Sequence, residues 1–595
     1  MASERKQSML KKRSKPAILF HTVLKSSKGF ALAAIFLKII NGIMPILYIT
    51  VYSYFIEQLL QSYSDGLAAK KMFLVVISFV VVGILNFFSS GIATYITTRL
   101  QHCMQKKLCL DNIDKISRLE YTHIENSESY DSIARVRKGT PGMLLEGFFA
   151  YLGLGELTLK ICSIAGMILL FSTWMFVLML VCCIPVVWIS LRSGKEDYEA
   201  FIAYQKIERR IDEYETVLTD KKYAKERTLY GYSEWLSGRW NEKYREGTEI
   251  FLGVKKKMYI QVKLTSGIVL LSFLLMIGGI AYETLKGTVP LGTFTSVTNE
   301  LLTMSSAISW TLASLIHIIS RCHAFVGDYE AFFNLSEKKE ISKKVSRKHK
   351  IESIEFKNVC FCYPGNEKDT LQNLNFCLKA PNTYALVGEN GAGKTTITKL
   401  LLGLYTNYTG KILINGLDLR EHPELSQLFS VSFQDFAKYE ISIRDNIVLG
   451  NKEKMSDRKI EKLMKLLNFN RNNQEAGLDM EIGYLTEKTT NLSLGEWQKI
   501  SLIRALASMG TFYLLDEPTA SLDPSAEAAI YNDFMKIVDE NPALIITHRL
   551  GAARLADKIL VLEHGTVKET GSHDVLLAQK GIYCKMYEAQ KGWYV

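Results

Sequence analysis

Disulfide frameworks and structural zinc are the first things this sequence lacks the material for. Its ten cysteines are scattered through 595 residues. Cys182 and Cys183 fall inside an apolar run, Cys360 and Cys362 are one residue apart, and no second pair stands at ligand spacing. The thiols therefore read as buried and reduced. A removable signal is also missing. The basic start, with Lys11, Lys12, Arg13 and Lys15, has no short apolar core followed by a small-residue cleavage site. Charge is scarce over long stretches before about Ile319 and plentiful after it. The net charge of +11 is spread over segments flanking apolar runs, which favours anchoring at a cytoplasmic membrane face over nucleic-acid binding.

What is present in the first half is length and apolarity. Six segments reach the roughly 20 residues needed to span a bilayer: Phe30–Ile56, Met72–Thr94, Leu144–Phe171, Trp174–Leu191, Tyr259–Leu285 and Leu291–Ile319. Only Ser172-Thr173 separates the third from the fourth, which predicts a tight hairpin. Basic residues crowd the segment before the first span, the loop after the second and the loop after the fourth. The positive-inside rule then puts both termini and both long loops in the cytoplasm. From Tyr198 to Tyr232 the apolar residues Phe201, Tyr204, Ile207, Ile211, Tyr214, Val217 and Leu218 recur at helical spacing. This predicts helices that leave the membrane, cross and return, with elbows near Glu125–Tyr130 and Asp220–Arg227 positioned to touch a cytoplasmic domain. Lys38, Glu146, Glu156, Lys160, Lys263, His317 and Arg321 lie in or near spans. They are pathway candidates by cost, although snorkelling accounts for those at span ends and Glu156 and Lys160 are spaced to neutralise each other. The expected division is 1–28 as a basic cytoplasmic segment, 29–334 as the membrane domain, 335–350 as a linker and 351–595 as a cytoplasmic domain.

After Ile351 short strands alternate with helices, the pattern of an α/β domain. Gly388-Glu389-Asn390-Gly391-Ala392-Gly393-Lys394-Thr395-Thr396 fits G-x-x-x-x-G-K-[ST] between a predicted strand, Thr383–Val387, and a predicted helix running through Leu404. Backbone N–H groups and a helix N-terminus there would cradle a nucleoside triphosphate. Lys394 would reach its β/γ-phosphates and Thr395 would complete an Mg²⁺ shell. The apolar run Thr511–Leu515 ends in Asp516 and Glu517, so a buried parallel strand would deliver both carboxylates where ligands collect. Asp516 would hold Mg²⁺ and Glu517 would polarise the attacking water.

Between these motifs stands Leu492-Ser493-Leu494-Gly495-Glu496-Trp497-Gln498. With it the domain resembles the nucleotide-binding domain of ATP-binding cassette (ABC) transporters, whose Leu-Ser-Gly-Gly-Gln segment opens a helix and contacts the γ-phosphate held by the other subunit. Leu494 and Glu496 depart from that pattern; Ser493 and Gly495 keep it. The resemblance implies further roles. Gln434 senses Mg²⁺ and faces the elbows, Asp523 lies in the segment that crosses the dimer interface, and His548 is the switch histidine at the γ-phosphate. Tyr363 stacks on adenine, and Glu487 is the acidic residue preceding the signature. Six spans, long cytoplasmic loops and one cassette are similar to a type IV exporter half-transporter. The implied architecture is an α-helical six-span transmembrane domain plus an α/β P-loop ATPase, working as a dimer with two ATP between the cassettes. Retention of Glu517 and His548 favours two identical copies over a related half-transporter as partner.

Cargo rests on kinship alone. Phe433–Ile447 and Asn541–Leu577 resemble the matching stretches of lantibiotic (nisin-type) exporters, and lie in the ATPase part, away from cargo. About 28 residues, none of them cysteine, precede the first span, so a leader protease domain is not expected. Export of a lanthionine-containing or related peptide, made by separate modifying enzymes, is the first reading. Lipid or hydrophobic-drug efflux is the second, and a membrane-bound ATPase with a sensing or regulatory role the third.

Overall fold

The structure is a computed structural model that describes residues 14–65, 69–338, 349–449, 455–469, 477–483, 491–517, 531, 534 and 541–591. The chain divides into two compact units: Met1–Arg118 with Glu128–Ser336, and Leu119–Ser127 with Glu337–Val595.

The first unit is helical: α1 (Lys15–Ser26), α2 (Lys28–Asp65), α3 (Ala69–Arg118), then, after the short α4 (Tyr121–Glu125) that belongs to the second unit, α5 (Ser127–Gly139), α6 (Gly142–Phe171), α7 (Thr173–Thr219), α8 (Ala224–Tyr230), α9 (Ser233–Leu285), α10 (Leu291–Ser306) and α11 (Leu312–Asn334). Lipid offers no partner for backbone N–H and C=O, so apolar spans of this length must close their hydrogen bonds along the helix. Among the described residues five helices are long and apolar enough to cross a membrane, the stretches 28–62, 73–118, 142–170, 173–219 and 233–285. The sixth expected span is also helical, but a π-helical turn at Ala307–Thr311 divides it into α10 and α11. A π turn widens the helix locally and is common at functional positions.

Helix α7 has 47 residues, about 70 Å at 1.5 Å per residue. That is more than twice the roughly 30 Å hydrocarbon core, so its polar second half continues outside the membrane, as the periodicity predicted. Apolar side chains such as Ile164, Ile168, Met179, Phe273 and Met276 fill the interior, while Leu170, Ile184, Leu271 and Leu275 remain exposed, the distribution of a bundle meant for lipid. Two of the acidic groups inside it are held by several cations each. Glu156 accepts from Lys38 and Lys160, each at 2.7 Å. Asp197, which is buried, meets Lys255 at 2.9 Å, His317 at 2.9 Å and Arg321 at 3.3 Å.

The second unit carries two sheets. One is antiparallel, β2-β1-β4-β5, made of β1 (Ser353–Phe361), β2 (Leu371–Lys379), β4 (Thr409–Ile414) and β5 (Leu417–Asp418). The other runs β10-β9-β3-β8-β7-β6, from β3 (Thr383–Gly388), β6 (Phe429–Ser432), β7 (Phe512–Asp516), β8 (Ala543–Ile546), β9 (Lys558–Glu563) and β10 (Thr566–Gly571). Its pairs are parallel except β9 with β10. Every residue of β3, β7 and β8 is buried, which is why they read as unbroken apolar runs. Among the described residues its helices are α12 (Lys394–Leu401), α13 (Ile443–Val448), α14 (Asp457–Leu466), α15 (Leu494–Ala507), α16 (Leu550–Ala553), α17 (His573–Ala578) and α18 (Ile582–Lys591). The predicted helix through Leu404 thus ends at Leu401.

Candidate functional site

The loop from Gly388 to Gly393 joins β3 to α12, the strand-to-helix placement that its sequence predicted. Two of its glycines are forced. Gly393 adopts φ +105° as the residue before the helix, a conformation that side chains resist. A Cβ on Gly388 would come within 2.2 Å of the Leu562 carbonyl oxygen. Lys394 donates to the Gly388 and Glu389 carbonyl oxygens at 2.8 and 3.0 Å. Its ammonium therefore caps the loop beside the helix N-terminus. Burial lowers the Lys394 pKa, and the Glu517 and Asp516 carboxylates pull it back up in part.

Two strands away, β7 ends in Asp516 and is followed by Glu517. Asp516 is 1% exposed, and neither of its carboxylate oxygens has a hydrogen-bond partner among the described residues. Burial, with the neighbouring Glu517 charge, pushes its pKa up to about 6, against weaker downward pulls from Thr395 and Lys394. A buried carboxylate of this kind, close to the Thr395 hydroxyl and on the same strand ends as Gln434, fits a small hard cation that takes oxygen ligands. Glu517 has φ +47°, a strained conformation for a side-chain residue, worth about 1–3 kcal/mol. Its amide holds the Ile546 carbonyl at 2.9 Å, while its carboxylate accepts from Gln434 Nε2 at 2.9 Å and lies 3.1 Å from His548 Nδ1. Gln434, Glu517 and His548, 114 positions apart in sequence from first to last, thus converge on one carboxylate because β6, β7 and β8 are neighbours.

Ser493 is the N-cap of α15, and Glu496 completes a capping box. The Glu496 carboxylate accepts from the Ser493 amide at 2.7 Å and from its hydroxyl at 2.8 Å. The departure from the glutamine of the signature therefore has a local consequence: the Ser493 hydroxyl is tied to an anion. Leu494 and Ser493 face solvent. Gly495 lies in the first turn of α15. Asp523 and Glu487 fall outside the described residues.

Tyr363 packs edge-on against Phe361 and Tyr405, with ring centroids 5.0 and 5.5 Å apart, and its hydroxyl meets Thr396 Oγ1 at 3.0 Å. Sequence reasoning missed what lies behind it. Glu125 of α4 accepts from Tyr405 and from Lys399, and Lys399 follows the loop on α12. Burial raises the Glu125 pKa, but hydrogen bonds from Lys399, Tyr405 and Tyr121 outweigh it and hold the carboxyl below its ordinary value. Of the elbow predicted at Glu125–Tyr130, Glu125 to Ser127 thus belong to the second unit and Glu128 to Tyr130 to the helical unit, as does Asp220–Arg227. No local pattern around Tyr405 announces this cluster; an acidic residue at an elbow was the single available signal.

Residues 371–520 match the ABC transporter family. Over 591 residues the chain is 28% identical to the subtilin transport ATP-binding protein SpaT of Bacillus subtilis, covering 96% of this chain and 93% of that protein. The nisin transport ATP-binding protein NisT of Lactococcus lactis subsp. lactis is 27% identical over 581 residues, with 96% and 95% covered. The ATP-dependent lipid A-core flippase of Salmonella typhimurium is 36% identical over 244 residues, 40% of this chain and 41% of the flippase. In structure the chain is similar to a bacterial Atm1-family ABC exporter with ATP bound, at TM-score 0.78 and 21% identity, over 94% of this chain and 98% of that one.

The raised Asp516 pKa has a measurable sign. The ionised form is disfavoured in the fold, so the penalty is absent below the unfolded value near 3.9 and complete once pH exceeds the folded value of about 6. Its full size is on the order of 2–3 kcal/mol. Asp516→Asn is expected to raise the melting temperature of the nucleotide-free full chain at pH 8, with the gain vanishing towards pH 4, and to abolish the extra stabilisation that Mg²⁺ adds to ATP. Scanning calorimetry across pH checks both; a gain that is constant with pH would refute the assignment.

Proposed function

Since this chain is an ABC exporter with the organisation of a half-transporter, we propose that it carries a peptide, one with lanthionine bridges or a related modification, outwards across the cytoplasmic membrane. The observation that carries this reading is the reach of the likeness to SpaT and NisT, 96% of the chain and so both of its units. Likeness to lipid A-core flippases is 36% over 244 residues in one case and 28% over 442 residues, 72% of this chain, in another, and favours efflux of a lipid as the second reading.

The chain is an ATPase that drives export. One membrane unit and one ATPase unit make half of such a machine, and the partner in this reading is a second copy. Ser493 and Gly495 of one copy would meet the γ-phosphate held by the phosphate loop of the other, which suits the exposed position of Ser493. Lys394 would leave the loop carbonyls for the β- and γ-phosphates, and Tyr363 would stack on adenine. Thr395, Gln434 and Asp516 would hold Mg²⁺, whose charge, when bound, offsets that of the phosphate oxygens. Glu517 is positioned to accept a proton from the attacking water, and His548 and Gln434, both in contact with its carboxylate, orient it. Closure of the two ATPase units would be felt at the elbow through Glu125, whose partners Lys399 and Tyr405 lie on and beside the helix that follows the phosphate loop.

Three outcomes test this. ATP-dependent uptake of a lanthionine-bearing precursor into inside-out vesicles, competed by unlabelled precursor and not by lipid or hydrophobic drugs, is expected; uptake of a lipid alone would replace the reading with the second one. Glu517→Gln should keep ATP binding while turnover falls by about 10²-fold or more, and sustained turnover would remove Glu517 from its role. Glu496→Gln frees the Ser493 hydroxyl and removes an anion from beside a triphosphate. It should raise ATPase activity at limiting ATP by about three- to tenfold with an unchanged melting temperature; a fall in activity would show that the carboxylate is needed.

A further inference from the structure

The helical unit contains a cavity of about 380 Å³ whose walls are polar, lined among others by Asn41, Tyr48, Glu156, Lys160, Asn299 and Glu300. It lies between α2, α6 and α10. Glu300 is nine residues inside the outer end of α10, and Lys160 is eleven residues inside the end of α6 that forms the hairpin, or about 14 and 17 Å at 1.5 Å per residue. Both therefore sit near the middle of a hydrocarbon core about 30 Å thick.

The two carboxylates of this cavity are not equivalent. Glu156 is saturated by Lys38 and Lys160, so it needs nothing further. Among the described residues no cation contacts Glu300: its carboxylate takes a hydrogen bond from the Thr303 side chain and feels Lys160 only at a distance, the Lys160 ammonium being held by Glu156 at 2.7 Å. A carboxylate kept at mid-membrane depth, facing a cavity and without a contacting cation, is costly to maintain for structure alone. The side formed by α6, backed by Lys38 of α2, has the opposite character: Lys38 and Lys160 share the Glu156 carboxylate, which leaves one positive charge and its donors in excess. Together these walls match a group that is cationic at one end and rich in carbonyl oxygens at the other.

We propose that this cavity is a side-chain pocket for cargo, in which Glu300 pairs with an ammonium or guanidinium group of the exported peptide while Lys160 and Asn299 hydrogen-bond its carbonyl oxygens. The proposal rests on the peptide-export reading and adds to it the charge class of the cargo. At about 380 Å³, near the low end of the roughly 300–1,000 Å³ of ligand pockets, the cavity admits a side chain and its own backbone carbonyl, and the rest of the peptide lies outside it.

The test uses the full chain in lipid nanodiscs and fluorescence anisotropy with three probes: an apolar peptide bearing several lysines, the same peptide with every amine acetylated, and a labelled long-chain alkylamine. The wild type should bind the amine peptide about tenfold or more tightly than its acetylated twin, the worth of one charge-assisted hydrogen bond. Glu300→Gln should bring the two within about twofold, and Glu300→Asp should restore most of the difference, which separates loss of charge from loss of fold. Equal binding of both peptides by the wild type, or a preference that survives in Glu300→Gln, overturns the pocket and leaves peptide export standing. Binding of the alkylamine alone, in a Glu300-dependent manner, keeps the cation site and overturns the peptide. Binding of no probe overturns both.

Discussion

The ATPase unit is arranged around a buried carboxylate that no cation among the described residues contacts. Asp516 is buried at the end of β7, without a hydrogen-bond partner among the described residues, beside a second acid and facing a lysine that is committed to loop carbonyls. Each of these groups is in an unfavourable state that a triphosphate with its metal would relieve. The loop's amides and the start of α12 add positive potential where phosphates would lie, and the strained backbone at Glu517 aims its carboxylate between Gln434 and His548. Stability has been given up locally so that the site is organised before anything enters it.

The same economy of charge governs the helical unit, with lipid in place of a protein core. Asp197 gathers three basic groups and Glu156 gathers two. These clusters let polar residues sit deep in the bundle by neutralising each other, and they cross-link helices that are distant in sequence. Glu300 stands apart from that pattern. A carboxylate that no cation contacts, across from two lysines that share one acid, is where the proposed cargo group would bind.

Between Tyr363 and the elbow the path is short. Tyr363 touches Tyr405, Tyr405 bonds Glu125, and Lys399 sits on the helix whose first turn holds Lys394 and Thr395. Occupancy at the phosphate loop and the position of α4 are thus tied through one carboxylate. Because that carboxylate is partly buried and triply hydrogen-bonded, it cannot shift without its partners shifting too.

Much of this was legible in the linear chain because the relevant constraints are local. A span must be apolar for some twenty residues, a parallel strand buried on both faces must be apolar throughout, and a phosphate loop needs its glycines and lysine in order; each leaves a contiguous mark, so the helical unit, β3, β7, the loop and the pairing of Glu156 with Lys160 could be read directly. Long-range partnerships leave no such mark. Nothing near Tyr405 points to Glu125, nothing near Lys255 points to Asp197, and the place of Glu300 as a carboxylate that no cation contacts appears only once Lys38 and Lys160 are both seen to hold Glu156. Sequence by itself determined which segments fold and which chemistry they carry, because periodicity and motif spacing are properties of neighbours. Tertiary structure alone decided which charges find partners, since that depends on which strands and helices end side by side.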